Sequence, residues 1–87
     1  MRLLNKVAVV TGGAKGIGGE ISQIFANNGA KVIAVDMGDL EYQNENVEAY
    51  QLNITDVAGC EKFYQYVIEK YGRVDILVNN AGINGMQ

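Results

Sequence analysis

The chain has 87 residues, which bounds it at one domain, and its 48% of hydrophobic residues is ordinary for a globular protein. A net charge of −3 with seven scattered basic residues argues against a nucleic-acid backbone binder, which needs clustered Lys and Arg. The lack of any His removes His-based triads and most zinc sites, so no metal site is expected.

In chain order, residues 1–6 hold no apolar stretch ending in a small-residue cleavage site, so they do not read as a signal peptide. No apolar run has bilayer-spanning length, and no membrane association is expected. The first element is a strand over residues 6–11, whose Val7-Ala8-Val9-Val10 is the short continuous run of a strand buried on both faces. A glycine-rich turn, Gly12 to Gly16, follows. Ile17, Ile21, Ile24 and Phe25 then fall at helical spacing, and Gly29 is a natural stop. Val32-Ile33-Ala34-Val35 forms the second strand, closed by Asp36. Residues 37–46 read as a polar loop, and residues 47–52 as a weaker third strand.

Thr55 is the expected N-cap of a second helix, with Asp56 in its first turn. Its apolar stripe runs Val57, Cys60, Phe63, Tyr64, Val67, Ile68 and Tyr71, and Gly72 ends it. Cys60, the lone cysteine, fits a reducing cytoplasm and reads as a small buried side chain. Residues 74–79, centred on Ile76-Leu77-Val78, form a fourth buried strand, and Ala81-Gly82 turns out of it.

Strands that alternate with helices imply a parallel sheet with right-handed crossovers. The second and third strands step outward on one side of the first, and the second helix returns the chain to the other side. The expected fold is therefore α/β: the first half of a three-layer, doubly wound, Rossmann-type parallel sheet of strand order 3-2-1-4. The topology switches between strands one and four, where ligands bind at the carboxyl ends. It also leaves strand four as a bare edge.

Thr11-Gly12-Gly13-Ala14-Lys15-Gly16-Ile17-Gly18 follows a strand and opens a helix, the context of a phosphate-cradling loop. Gly12 suits a tight turn, Gly16 lets the backbone approach a pyrophosphate at the helix start, and Gly18 lets the helix pack closely. The P-loop fails because Gly19-Glu20 stand where Lys and Ser or Thr belong, and the G-x-G-x-x-G fingerprint fails at Ile21. Asp36 closes the second strand, where a carboxylate accepts from the ribose hydroxyls of an adenine dinucleotide. A carboxylate about 5 Å from the 2′-phosphate of NADP(H), at an effective dielectric of about 20, is repelled by roughly 3 kcal/mol, or about a hundredfold.

The G-x-x-x-G-x-G spacing after Thr11, together with Asn79-Asn80-Ala81-Gly82 at the end of strand four, resembles the short form of the short-chain dehydrogenase/reductase family. The match runs from Lys6 to Gly82. The resemblance implies an oxidoreductase that moves hydride between a nicotinamide and an alcohol or carbonyl, with NAD preferred over NADP because of Asp36. Lys15, just before the second glycine of the pattern, is the residue type that accompanies NADP in the family. The resemblance makes Asn79 a tie between the central strands, places Asn80 and Ala81 along the adenosine, and has Gly82 leave room for it. Asn53 and Ile54 fall beside the adenine, with Asn where the family usually has Asp. The cofactor set is thus Gly12, Lys15, Gly16, Ile17, Gly18, Asp36, Asn53, Ile54, Asn80, Ala81 and Gly82.

The family's catalytic pair is Tyr-x-x-x-Lys, and Tyr66 and Lys70 have that spacing. They precede the Asn79 signature instead of following it, and a helical wheel turns Tyr66 to solvent. No catalytic residue is therefore assigned. The chain reads as the N-terminal part, residues 1–87, of a larger cytoplasmic, homo-oligomeric enzyme with a small alcohol or carbonyl substrate. The competing readings are a dinucleotide-binding module without chemistry, such as a redox sensor, and a structural half-domain.

Overall fold

A computed structural model describes residues 2–80. The elements are β1 (Val7–Thr11), α1 (Gly16–Asn27), β2 (Lys31–Asp36), β3 (Val47–Gln51), α2 (Val57–Tyr71) and β4 (Ile76–Asn79). They build a parallel sheet of order β3-β2-β1-β4. Each strand starts or stops within two residues of its expected bounds.

Burial separates the inner strands from the outer ones. Val7 to Val10 and Val32 to Val35 are buried without interruption, because β1 and β2 have a strand on either side and a helix on either face. On one face Ala8, Val10, Val32 and Ala34 pack with Ala26, Ile21 and Phe25 of α1. On the other, Val7, Val9, Ile33 and Val35 pack with Val67, Phe63 and Tyr66 of α2. In β4, Ile76 and Val78 join the α1 side, but Leu77 on the opposite side is 67% exposed. The expectation of a buried fourth strand therefore holds for one face only. No described element covers the other face, and β4 is an edge of the described sheet.

Both helices differ from their sequence stripes. In α1, Ile17 and Ile24 are exposed, and the residues facing inward are Gly18, Gly19, Ser22 and Ala26. Small side chains bring the helix axis close to the sheet and the preceding turn, so the larger apolar residues flank the contact. In α2 the N-cap is Asp56, whose carboxylate accepts from Gly59 N–H at 3.0 Å. Thr55 is instead drawn to Asn53, whose Oδ1 accepts from both its N–H and its hydroxyl. Gly72 ends the helix in the left-handed region, φ 81°, its N–H returning to Ile68. Val57 and Tyr64 are exposed, whereas Tyr66, expected in solvent, is half-buried against Tyr50 of β3. Cys60 is half-buried, its thiol donating weakly to the Ile54 carbonyl. Among the described residues no helix is long and apolar enough to cross a membrane.

Candidate cofactor site

The carboxyl ends of β1, β2 and β4 converge on the turn between β1 and α1. Gly12 has φ 66°, and the N–H groups of Gly12 and Gly13 both reach the Val35 carbonyl at the end of β2, at 2.7 and 3.4 Å. The next N–H, of Ala14, donates to Asp36 Oδ2 at 3.2 Å. The turn is thus laid across the end of β2. Lys15 is exposed, in extended backbone at the N-cap of α1, and its side chain makes no cap bond.

Gly16 has φ 59° with open space around its Cα, so the backbone there can be approached from solvent. As at every helix start, the first-turn N–H groups lack acceptors within the helix, and α1 carries no acidic residue in that turn. The positive end of the helix is therefore left for an outside anion. Gly18 serves the turn itself more than the sheet: a Cβ there would run into the Gly12 carbonyl and lie 2.7 Å from Asn80 Nδ2.

The signature at the end of β4 works from beneath. The Thr11 hydroxyl shares its one proton between Asn79 Oδ1 at 3.1 Å and the Val78 carbonyl at 3.3 Å, tying β1 to β4. Asn80 is buried, and its amide donates to the Gly12 carbonyl at 3.3 Å. Its side chain therefore supports the turn rather than facing outward. Ala81 and Gly82 lie outside the described residues.

Beside the turn, Gly12, Val35, Asp36, Met37, Leu52, Asn53 and Ile54 line a cavity of about 160 Å3. Asp36 is half-exposed at its rim, accepting from Ala14 N–H and, at 3.1 Å, from Gly38 N–H. A carboxylate has about four acceptor positions, so two remain for a ligand's hydroxyls. Asn53 holds Thr55 through Oδ1, which leaves its NH2 group as the side that a base can meet. Glycine, carboxylate and amide come together here from parts of the sequence far apart.

Two contributors were missed from sequence. A Cβ on Gly13 would meet Ala34 Cβ and the Val10 carbonyl, each at 2.9 Å, so this glycine sets how closely the turn lies on the sheet. Its signal was present, as one of two adjacent glycines after a strand. Tyr42 gave none: its hydroxyl donates to the Gly13 carbonyl at 2.7 Å from the middle of the β2–β3 loop. Burial, opposed by the Ser22 hydroxyl and aided by the Asp36 charge, raises the Tyr42 phenol above its ordinary range. It is therefore a donor at neutral pH.

Tyr66 and Lys70 lie at the other end of the sheet. Tyr66 donates to Glu48 Oε2, Tyr71 donates to Glu48 Oε1 at 2.6 Å, and Lys70 reaches Glu48 at 3.0 Å and Tyr66 at 3.1 Å. Burial pushes the Glu48 carboxyl up, but the bonds from Tyr66, Tyr71 and Lys70 outweigh it and hold it below the usual range. Burial and Glu48 push the Tyr71 phenol up to about 12. Sequence reasoning erred on where Tyr66 points, and the structure keeps it away from the glycine-rich turn.

Comparison with known proteins gives the same frame: the family model for short chain dehydrogenases matches residues 6–87. The chain belongs to the short-chain dehydrogenase family. A 3-oxoacyl-[acyl-carrier-protein] reductase of Thermotoga maritima is 42% identical over 95% of this chain and 37% of its own length. Galactitol 2-dehydrogenase of Agrobacterium fabrum is 43% identical over 99% of this chain and 36% of its own. Among solved structures, the ligand-free aldohexose dehydrogenase of Thermoplasma acidophilum superposes with a TM-score of 0.82 at 28% identity, over 88% of this chain and 29% of that one. The chain thus spans about a third of the length of the relatives it matches. It is a Rossmann-type half from a family of oxidoreductases, which disfavours a module without chemistry.

Proposed function

We propose that this chain is the cofactor-binding part of an NAD(H)-preferring short-chain oxidoreductase that interconverts an alcohol and a carbonyl. The observation that carries the cofactor reading is the Asp36 carboxylate, set at the end of β2 over a cavity and fixed by the same turn that opens α1. When bound, the nicotinamide supplies the hydride acceptor or donor. The first-turn N–H groups from Gly16 to Gly18 would hold the pyrophosphate, with Gly12 and Ile17 beside it. Asp36 would accept from the adenosine ribose hydroxyls, and Asn53 and Ile54 would flank the adenine. The family resemblance would assign Asn80, Ala81 and Gly82 to the adenosine side of the cofactor, Asn80 acting through the Gly12 carbonyl that its amide holds.

Lys15 favours NADP(H), yet one exposed, strongly hydrated ammonium does not offset a carboxylate facing the 2′-phosphate. No residue of this chain is assigned to proton transfer. The names of the relatives support a small substrate of 3-oxoacyl or sugar type, and we place the whole enzyme in the cytoplasm as a homo-oligomer. The test is kcat/KM of the full-length protein with each cofactor. A large preference for NAD(H) is expected; equal efficiency, or a preference for NADP(H), would overturn the assignment.

A further inference from the structure

We propose that Tyr42 is a positioning residue for the cofactor site, setting dinucleotide affinity by gripping the glycine-rich turn from behind. The proposal rests on the dinucleotide-binding reading above and deepens it.

Residues 37–46 contain no helix, so this loop covers the glycine-rich turn as irregular chain. It is fastened to two consecutive residues of that turn. Tyr42 Oη–H donates to the Gly13 carbonyl at 2.7 Å, and Glu41 N–H donates to the Ala14 carbonyl at 2.8 Å. From the other side, the Ala14 N–H donates to Asp36 Oδ2 at 3.2 Å.

Peptide planarity gives this arrangement its consequence. The Gly13 carbonyl and the Ala14 N–H belong to one rigid, trans peptide and point in opposite directions. Tyr42 and Asp36 therefore hold the two ends of a single plane. Fixing the carbonyl aims the N–H, and the N–H orients the carboxylate proposed to read the ribose. The next plane is held the same way, because Glu41 fixes the Ala14 carbonyl and so directs the Lys15 N–H away from the loop.

The Tyr42 ring has a built seat. A Cβ on Gly19 of α1 would lie 3.2 Å from ring atom Cε1, so the ring occupies the space this glycine leaves. Ser22 is fully buried beside the ring, its hydroxyl acting on the Tyr42 phenol, and its oxygen lies 3.0 Å from where a Gly13 Cβ would be. Among the described residues the Tyr42 phenol is the side-chain donor to the Gly13 carbonyl. Tyr42 is tied to the turn's backbone and acts through that backbone on groups that meet the cofactor.

The experiment uses the full-length protein with Tyr42→Phe, which keeps the ring in its seat and deletes one donor. Steady-state kinetics are measured with NAD+ and with NADP+, alongside the thermal midpoint. The expected result is a KM for NAD+ raised roughly three- to tenfold, the size of one neutral hydrogen bond, with kcat and the KM of the alcohol substrate unchanged. The ratio of NAD+ to NADP+ efficiency is expected to narrow in the same direction as in Asp36→Ala, but by less. A KM for NAD+ within experimental error of wild type, while Asp36→Ala still relaxes discrimination, would overturn the Tyr42 proposal and leave the cofactor reading standing. Parallel losses in kcat, both KM values and the midpoint would assign Tyr42 to general stability and also overturn it. If neither NADH nor NADPH binds the wild-type protein in a fluorescence titration, the underlying reading falls with it.

Discussion

The two ends of the sheet use similar side chains for opposite purposes. At the amino end of β3, Glu48 collects Tyr66, Tyr71 and Lys70, and donors and acceptors satisfy one another. At the carboxyl ends, Asp36 is held by backbone N–H groups alone and keeps acceptor capacity over a cavity, next to a helix start with no acid in its first turn. A closed polar cluster fastens α2 to β3, whereas an open one is equipped to receive a ligand. The Tyr-x-x-x-Lys spacing cannot tell these apart; position in the topology does.

The largest expected effect falls at the open end. Gly18→Ala forces a Cβ into a backbone carbonyl, where no flexible side chain can give way. Overpacking of this kind costs about 1–3 kcal/mol, and the displaced turn should lose most of its dinucleotide affinity. Thermal unfolding and NADH titration of the full-length protein check both, and wild-type values in each would show that Gly18 does not set the turn. Asp36→Ala comes next. If Asp36 faces the 2′-phosphate as proposed, the change removes a repulsion of roughly 3 kcal/mol, and discrimination against NADP(H) is expected to fall by up to about a hundredfold in kcat/KM. An unchanged ratio would move cofactor choice to Lys15 or elsewhere.

The closed end should report on stability and pH instead of cofactor. The Glu48 carboxyl is held below its ordinary value, so its contribution is present above about pH 4.5 and is lost as pH falls through the folded value. Glu48→Gln should lower stability near neutrality by about 1 kcal/mol, discounted for partial exposure, and the gap to wild type should close in acid. Tyr71 has the reverse sign: its contribution is complete below about pH 10 and fades as pH rises toward about 12. Denaturant melts across pH measure both, and a constant gap would show that Glu48 is not the titrating group. The smallest effect is expected for Tyr66→Phe, with turnover of the full-length enzyme within about twofold of wild type. A hundredfold loss would place catalysis at the wrong end of the sheet.

Much of this was legible in the sequence where the signal is periodic. Two continuous apolar runs marked β1 and β2, and the glycine spacing marked the turn that Gly12, Gly16 and Gly18 form. The stripe of α2 was found but misassigned to one face. Its Phe63, Val67 and Tyr71 pack on the sheet with Tyr66, while Tyr64 and Cys60 border an apolar groove of about 430 Å3 beside exposed Leu77. A helical wheel gives the angle between residues but not which half-face meets the sheet. Thr55 and Asp56 are both good caps, and Asn53 decided between them by engaging Thr55. Tyr42 was invisible because its partner is set by the path of an irregular loop, which no spacing encodes.

The most direct test of the central claim is a crystal structure of the full-length protein grown with NAD+. The expected map places both adenosine ribose hydroxyls within hydrogen-bond distance of the Asp36 carboxylate and the pyrophosphate against the N–H groups of Gly16 to Gly18. A dinucleotide bound with its ribose away from Asp36, or at the Glu48 end of the sheet, would contradict it.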